Sequence, residues 1–335
     1  MEDRHVAQVA LGGDPQVALF AVFDGHGGKN AAEFAAQNMP KFMAEEVRKV
    51  EGGDSDEIEG AVKKCYLRTD EEFLKREESG GACCVTALLQ KGGLTVSNTG
   101  DCRAVLSRAG TAEALTSDHR ASREDERERI ENLGGFVVNN RGTWRVQGSL
   151  AVSRGIGDAH LKQWVVADPD TRTLLVDPQC EFLVLASDGL WDKVDNQEAI
   201  DIARPLCIGN DKVSRMAACR RLVETAGSRG STDDISVLII QLQKFSAFFA
   251  HEGIGATAAI LRDNKGNFIA SHCKFIAIAA DAVTTEAMAM RDGLLLANSL
   301  GFNRVESESI PFKSLISTLD KQDGGMELQP YLLNA

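Results

Sequence analysis

Apolar runs alternate along the chain with polar, glycine-rich breaks, and the run from Val17 to Phe23 is the clearest of them. Its β-branched, aromatic and small apolar side chains are typical of a buried strand. The run is followed by Asp24, Gly25, His26, Gly27 and Gly28, for which we expect a tight turn at the strand end. A carboxylate and an imidazole placed there can carry chemistry, although Asp-Gly is also the commonest pair in ordinary tight turns.

Three further apolar runs carry aspartates at one end. Asp101 follows the run that ends at Ser97, Asp188 and Asp192 follow the run from Glu181, and Asp233 and Asp234 precede the run from Ile235 to Leu242. Strands can bring such ends together, and converging carboxylates without His or Cys partners suit a hard cation such as Mg²⁺ or Mn²⁺. The alternative for each aspartate is a turn or cap, which is the usual role of Asp beside Gly.

The rest of the apolar pattern predicts helices and hairpins. A hairpin is expected from Ala82 to Leu89 and Leu94 to Ser97, then a strand from Arg103 to Ser107 and a loop-rich flap from Phe136 to Asp170. Because no parallel βαβ alternation is seen, the pattern favours an α+β fold. The predicted helices are Lys29 to Val50 (bent or split at Pro40), Glu57 to Glu78 (capped by Asp54 or Ser55), Arg123 to Leu133 (closed by Gly134 and Gly135), Glu198 to Leu206 and Lys212 to Ala226.

Composition narrows the class of protein. The 335 residues are 43% hydrophobic and 26% charged, as in a soluble globular protein, and the net charge of −12 argues against general binding to nucleic acid or anionic membranes. The eight cysteines form neither a CxxC pair nor a zinc-site spacing, so we expect reduced, buried thiols in the cytosol or nucleus. We expect neither a signal peptide nor a membrane span, because the first residues are charged and no apolar run is long enough.

Two other features have non-catalytic explanations. Cys102 and Arg108 have the C-x5-R spacing of cysteine-dependent phosphatases, but the residues between them contain no glycine and read as a strand rather than a phosphate-binding loop. A cysteine nucleophile is therefore disfavoured. His119 lies in a polar segment, where we expect it to tie a loop rather than to act in catalysis.

The chain resembles the type 2C, metal-dependent serine/threonine protein phosphatases, most closely their plant members, over residues 1 to 245. Six segments that occur in the family's order carry this resemblance: MED (1–3), FDGHGG (23–28), NTGDCRA (98–104), GSLAVSRGIGD (148–158), ASDGLWD (186–192) and TDDISV (232–237). The resemblance implies a domain of two stacked antiparallel β-sheets flanked by pairs of antiparallel helices.

The resemblance also implies a reaction and a set of residues. The reaction is hydrolysis of phosphoserine and phosphothreonine in proteins by a water activated between two Mg²⁺ or Mn²⁺ ions, with His26 protonating the leaving oxygen. We expect a structural role for Asp158. The implied metal ligands are Asp24 as the bridge, the carbonyl of Gly25, Asp188 and Asp233, with Asp101 and Asp192 at a weaker third position and Glu2 and Asp3 facing the centre.

One departure from the family pattern leaves two alternatives open. In the family, a strand upstream of the acidic pair carries an arginine that binds the substrate phosphate; no residues stand there in this sequence, and Arg4 has the wrong place in the motif. The chain is therefore expected to lack the family's first strand, which would expose a sheet edge. The two alternatives are an active phosphatase, expected to be a monomer, and a pseudo-phosphatase that binds phosphoproteins or other partners.

A second segment begins near Gly253. It predicts a strand, a turn at Asp263 to Gly266, a second strand and a helix from Thr285 to Leu300, and it resembles ribonuclease H-like domains of plant retroelements over residues 253 to 309. Glu286 matches one nuclease carboxylate, Glu308 replaces another, and the first catalytic aspartate has no counterpart. We expect a degenerate appendage over residues 246 to 310 and a tail over 311 to 335. A nucleic-acid-processing role is disfavoured by the acidic charge.

Overall fold

The structure, a computed structural model, describes residues 1–50, 54–208, 212–242, 255–262 and 268–276. In chain order the strands are β1 (Arg4–Val9), β2 (Val17–His26), β3 (Gly81–Gln90), β4 (Gly93–Thr99), β5 (Arg103–Arg108), β6 (Thr111–Ala114), β7 (Val137–Asn140), β8 (Thr143–Val146), β9 (Ile156–Gly157), β10 (Asp170–Leu175), β11 (Cys180–Ala186), β12 (Val237–Gln241), β13 (Gly255–Arg262) and β14 (Phe268–Ile276). The α-helices are α1 (Asn30–Lys49), α2 (Ser55–Leu74), α3 (Glu124–Asn132), α4 (Asp188–Trp191), α5 (Asn196–Cys207) and α6 (Lys212–Ser228).

Two antiparallel sheets form the centre of the fold. The first has the order β1-β2-β3-β4-β10, with β9 paired to β3, and the second has the order β12-β11-β5-β6. Apolar side chains fill the space between the sheets, while α1 and α2 cover the outer face of the first sheet and α5 and α6 that of the second. This α+β sandwich with a helix pair on each side confirms the predicted fold class.

Strand β2 is longer than the apolar run that predicted it. Asp24, Gly25 and His26 continue the ladder with β3, and the turn begins only at Gly27, which has a φ of 66°. The prediction of a turn starting at Asp24 was therefore wrong, because pairing with β3 extends the strand beyond its apolar residues. Since side chains alternate along a strand, Asp24 and His26 share the face of β2 that carries Val22 in the core between the sheets.

The two N-terminal helices both occur where the sequence predicts them. Pro40 was expected to bend or split α1, and the helix continues through it without a split. The buried side chains of Met39 and Met43 on either side of Pro40 pack against the first sheet. Helix α2 begins as predicted, with the side chain of Asp54 accepting a hydrogen bond from the Glu57 N–H at 3.0 Å.

The flap stretch is more regular than expected. It contains the hairpin β7–β8 and the short strand β9, and it packs on α3 through a small apolar cluster that includes Ile130, Val146 and Val165. Farther along the chain, β13 and β14 pair antiparallel, as the second segment predicts. The predicted turn at 263–266, the helix at 285–300 and the tail at 311–335 lie outside the described residues. Over the ranges that the structure describes, the helices are all too short or too polar for a membrane crossing.

Candidate metal centre

The ends of strands from both sheets bring three aspartates together. Asp24 lies near the end of β2, Asp101 lies between β4 and β5, and Asp188 begins α4 directly after β11. Each offers a carboxylate oxygen, and these three oxygens lie within 4.8 Å of one another. The three aspartates are far apart in the sequence. They converge because their strands end at the same side of the sandwich.

The cluster has an unbalanced negative charge. Burial, together with the charges of Asp3 and Asp188, raises the pKa of Asp24 to about 10. Burial and the neighbouring Asp101 and Asp192 raise the pKa of Asp188 to about 7. Burial also raises the pKa of Asp101, although Arg120 opposes that shift. Closely spaced carboxylates of this kind, with oxygen as the only donor atom, fit a divalent hard cation, which would replace the protons that they otherwise hold.

The N-terminal acidic pair is tied to the same end of the sandwich. The Asp3 side chain is fully buried and accepts a hydrogen bond from Ser187 Oγ at 2.9 Å, while its other oxygen has no hydrogen-bond partner. That free, buried oxygen is a second feature that suits a cation or an ordered water. The Glu2 N–H donates to Asp234 Oδ2 at 2.5 Å, and Glu2 Oε2 accepts from the Gly28 N–H at 3.2 Å.

The remaining predicted ligands, Asp233, Asp192 and Gly25, are not among the residues whose oxygens converge within 4.8 Å. The charge of Asp233 contributes to the raised pKa values of Asp24 and Asp188, and Asp233 Oδ1 accepts a hydrogen bond from the next N–H at 2.8 Å. Asp192 accepts a hydrogen bond from Arg120 at 2.6 Å. Gly25 pairs with Ala82 in the β2–β3 ladder, next to Asp24.

Arg120 is a functional candidate that the sequence pattern missed. Its guanidinium lies 3.3 Å from an Asp101 oxygen and 3.9 Å from an Asp188 oxygen, in addition to its bond with Asp192. It therefore neutralises part of the acidic cluster. The only signal in the sequence is its position directly after His119, which identifies no role.

The surroundings of His26, His119 and Cys102 bear on the roles expected for these residues. His26 Nε2 lies 2.8 Å from Asp158 Oδ2, a contact that the sequence did not predict. His119 is buried between Asn98 and an oxygen of Asp170, which confirms its loop-tying role. Cys102 is fully buried and burial raises its pKa well above the usual range, so the thiol is poorly suited to act as a nucleophile.

Comparison with protein families agrees with this geometry. Residues 1–235 match the family described as Protein phosphatase 2C. The chain belongs to the protein phosphatase 2C family. A second match, to the family described as Reverse transcriptase-like, covers residues 245–322 and agrees with the predicted ribonuclease H-like segment.

Plant proteins named as phosphatases 2C are similar to the chain in sequence. Over 246 residues, or 73% of the chain, it is 86% identical to "Probable protein phosphatase 2C 32" of Oryza sativa subsp. japonica and 60% identical to "Probable protein phosphatase 2C 25" of Arabidopsis thaliana. The chain spans 63% and 62% of the lengths of these two relatives.

Two solved structures have the same fold. A serine-threonine phosphatase 2C from Toxoplasma gondii is 26% identical, with a TM-score of 0.61, covering 71% of this chain and 89% of its own. A C. elegans sex determining protein is 25% identical, with a TM-score of 0.66, covering 74% of this chain and 63% of its own. The likeness to the Toxoplasma gondii protein supports assignment of the sandwich to the phosphatase 2C fold.

Proposed function

We propose that the chain hydrolyses phosphoserine and phosphothreonine in proteins, using two Mg²⁺ or Mn²⁺ ions at the acidic cluster. The observation that carries this proposal is the convergence of Asp24, Asp101 and Asp188 within 4.8 Å. Burial raises the pKa of all three, and the charges of neighbouring carboxylates add to the shift, so the cluster favours a bound cation over bare carboxylates. The phosphatase 2C family supports the choice of reaction.

The ligands proposed for the ions are those that the resemblance to the phosphatase 2C family implies. Asp24, the carbonyl of Gly25, Asp188 and Asp233 would hold the two ions, and Asp101 and Asp192 would hold a weaker third one. Glu2 and Asp3 would support the centre from the N-terminal side. When bound, the ions would activate water and offset the charge on the phosphoryl oxygens.

His26 is the chain's proposed proton donor. It lies on the same face of β2 as Asp24, two residues away, and about a quarter of its side chain is exposed. The serine or threonine oxygen is a poor leaving group unless it receives a proton. A positioned imidazole can supply that proton. In this proposal the acidic cluster with its ions acts on the phosphoryl group, and His26 acts on the leaving oxygen. The two therefore lie on opposite sides of the bond that breaks.

The test is hydrolysis of a phosphothreonine peptide by the purified full chain, with manganese and with chelator. We expect turnover that requires manganese and is lost in Asp188→Ala, while Asp56→Asn, at an exposed position on α2, keeps it. If turnover is absent, calorimetry with manganese distinguishes a chain that binds no metal from one that binds metal without catalysis. A folded chain that binds manganese but has no turnover would contradict the enzymatic proposal.

The second candidate is a pseudo-phosphatase that binds phosphoproteins without turning them over. It is favoured by the contacts of Arg4, the arginine nearest to the N-terminal acidic pair. Arg4 donates to Glu33 Oε2 at 3.0 Å and to the Asp3 carbonyl oxygen at 2.8 Å, so its guanidinium is already engaged by the protein. Binding of a phosphothreonine peptide without turnover, in manganese, would support this alternative.

We also propose a division of the chain into a phosphatase domain (1–245), a partial ribonuclease H-like segment (246–310) and a tail (311–335). The phosphatase 2C match ends at residue 235 and the second match starts at 245, which supports a boundary between them. Limited proteolysis is expected to cut near residue 245 and to leave the phosphatase domain intact.

A further inference from the structure

The contact between His26 and Asp158 joins two segments that are 132 residues apart in the sequence. Asp158 follows β9 and is almost completely buried, with 4% of its surface exposed. Its backbone has a φ of 53° and a ψ of 48°, the left-handed region, which costs a non-glycine residue about 1 kcal/mol or more. The surrounding structure therefore holds Asp158 in a conformation that it would not adopt alone.

Helix α2 anchors the loop that carries Asp158. The Gly157 N–H donates to Asp70 Oδ1 at 2.7 Å, and Lys162 Nζ donates to the same oxygen at 2.8 Å and to the Gly155 carbonyl oxygen at 3.1 Å. The Asp158 N–H donates to the Gly80 carbonyl oxygen at 2.9 Å. These bonds fix the loop from both sides, so the carboxylate of Asp158 has little freedom to move away from His26.

Gly81 makes the contact sterically possible. It is the partner of His26 in the β2–β3 ladder and of Gly157 in the β3–β9 ladder. A Cβ at residue 81 would overlap both the Asp158 carboxylate and His26 Nε2. The imidazole and the carboxylate therefore meet directly over the bare backbone of β3, where only glycine leaves room for them.

We propose that Asp158 is a positioning residue that holds the His26 ring for proton transfer, an inference that rests on the proposed phosphatase function. By accepting the Nε2–H, the carboxylate fixes the orientation of the ring and leaves Nδ1 to carry the donated proton. As water forms the new bond to phosphorus, it keeps one proton on the product phosphate and releases the other to solvent. The bond to the serine or threonine oxygen breaks, and that oxygen takes the proton from Nδ1 and leaves as an alcohol. Solvent then returns a proton to Nδ1.

Two substrates with different leaving groups test the role. A phosphothreonine peptide needs a proton on its leaving oxygen, whereas p-nitrophenyl phosphate releases a stable phenolate without one. In the full chain with manganese, Asp158→Asn should lower kcat for the peptide by about 100-fold and leave kcat for p-nitrophenyl phosphate nearly unchanged. The control Asp56→Asn should alter neither rate. An equal loss with both substrates would overturn the proposal, because it would indicate damage to the whole site.

Two further variants separate positioning from general structure. Gly81→Ala keeps the side chains of His26 and Asp158 but displaces them, so it should reproduce the selective loss of the peptide reaction. The double variant His26→Ala with Asp158→Asn should be no slower than His26→Ala alone, because Asp158 acts only through the ring. A further drop in the double variant would contradict the proposal even if Gly81→Ala fails to fold.

A spectroscopic readout keeps this inference distinct from the proposed function. In nitrogen-15 NMR of the full chain, the Nε2–H of His26 should give a slowly exchanging proton signal that Asp158→Asn removes. If the wild-type chain turns over neither substrate, the phosphatase proposal fails, and this signal still decides whether Asp158 holds the ring. Absence of the signal in the wild-type protein would overturn the inference about Asp158.

Discussion

Single carboxyl groups at the cluster show why a cation would stabilise it. Burial and the charges of Asp3 and Asp188 raise the pKa of Asp24 to about 10, which favours the protonated carboxyl at neutral pH unless a positive charge replaces the proton. Each pKa unit corresponds to about 1.4 kcal/mol of preference for one protonation state. Metal binding at such a group is therefore coupled to proton release. The same burial that destabilises the bare carboxylates makes their attraction to a divalent cation stronger.

Gly189, next to Asp188, allows the start of α4 to lie close to the backbone of Asp234. A Cβ at this position would overlap the carbonyl oxygen of Asp234, and a backbone atom has no room to withdraw. We expect Gly189→Ala to weaken manganese binding by roughly tenfold, as other changes that misplace ligands do, and to lower the thermal unfolding temperature. Calorimetric titration with manganese and thermal unfolding measure the two effects.

Gly60 provides the matched control for that substitution. It lies inside α2, and a Cβ there would meet nothing within 4 Å. Gly60→Ala should therefore raise the free energy of unfolding by about 0.5–1 kcal/mol and leave manganese binding unchanged. If Gly189→Ala behaved like Gly60→Ala, the close approach at Gly189 would have no bearing on the metal centre.

Arg120 is predicted to weaken cation binding. Its guanidinium contacts Asp192 and lies within 4 Å of Asp101 and Asp188, so it repels any cation at the same carboxylates. We expect Arg120→Gln to tighten manganese binding by about fivefold at low salt, with a smaller gain at high salt because of screening. Arg172→Gln, which removes a surface ion pair with Glu113, serves as the control and should leave manganese affinity unchanged. Weaker binding in Arg120→Gln would instead identify Arg120 as an organiser of the ligands.

At the scale of secondary structure, the sequence predicted which elements exist better than where they end. The apolar runs of β2 and β11 and the cap at Asp54 could be recognised because local packing and local hydrogen bonds determine them. The end of β2 could not, since it depends on the ladder between His26 and Gly81. The contact of His26 with Asp158 was equally hidden, because a loop held by α2 makes it.

Helix α3 is joined to the flap through a buried carboxylate. Glu126 accepts hydrogen bonds from Ser153 Oγ at 2.6 Å, from Arg129 at 2.8 Å and from Arg154 at 2.8 Å. Burial alone would raise the pKa of Glu126, but these bonds outweigh burial and lower it to about 2. A depressed pKa of this kind stabilises the fold above the unfolded value near 4.5, and the contribution is lost as pH falls toward 2.

Removal of that charge should therefore destabilise the protein at neutral pH. We expect Glu126→Gln to lower the free energy of unfolding at pH 7 by about 3 kcal/mol, because two arginines lose their buried partner. The deficit should shrink as pH falls below about 4.5, where the wild-type group loses its advantage. Glu128→Gln, at an exposed position on the same helix, is the control and should be neutral. Denaturant unfolding at several pH values measures both; a pH-independent deficit would contradict the electrostatic explanation.

In the whole molecule, apolar packing stabilises the fold, while repulsion among the buried aspartates destabilises it. Three apolar layers hold the sheets and helices together, and the sheets in turn hold Asp24, Asp101 and Asp188 at distances where they repel. In the metal-free protein this repulsion therefore lowers the free energy of unfolding. A bound cation would offset the repulsion, so stability and metal binding should both depend on pH.

Asp188 should couple the stability of the fold to pH and to metal binding. The pKa of Asp188 is raised to about 7 in the folded protein, so its protonated form stabilises the fold below the unfolded value near 3.8, and this contribution is lost as pH rises toward 7. In chelator, Asp188→Asn, which is always neutral, should match the wild type near pH 4 and exceed its free energy of unfolding by up to about 3 kcal/mol near pH 8.

Manganese should remove most of the difference between the two proteins. At pH 8, excess manganese is expected to stabilise the wild type by about 2.7 kcal/mol at 100 times its dissociation constant, and to stabilise Asp188→Asn much less because one ligand is lost. Thermal and denaturant unfolding in chelator and in manganese, from pH 4 to pH 8, measure all four states. If Asp188→Asn were less stable than the wild type in chelator at pH 8, the repulsion inferred at the cluster would be absent. The carboxylates would then be held together by hydrogen bonds alone, and the case for a cation would lose its physical basis.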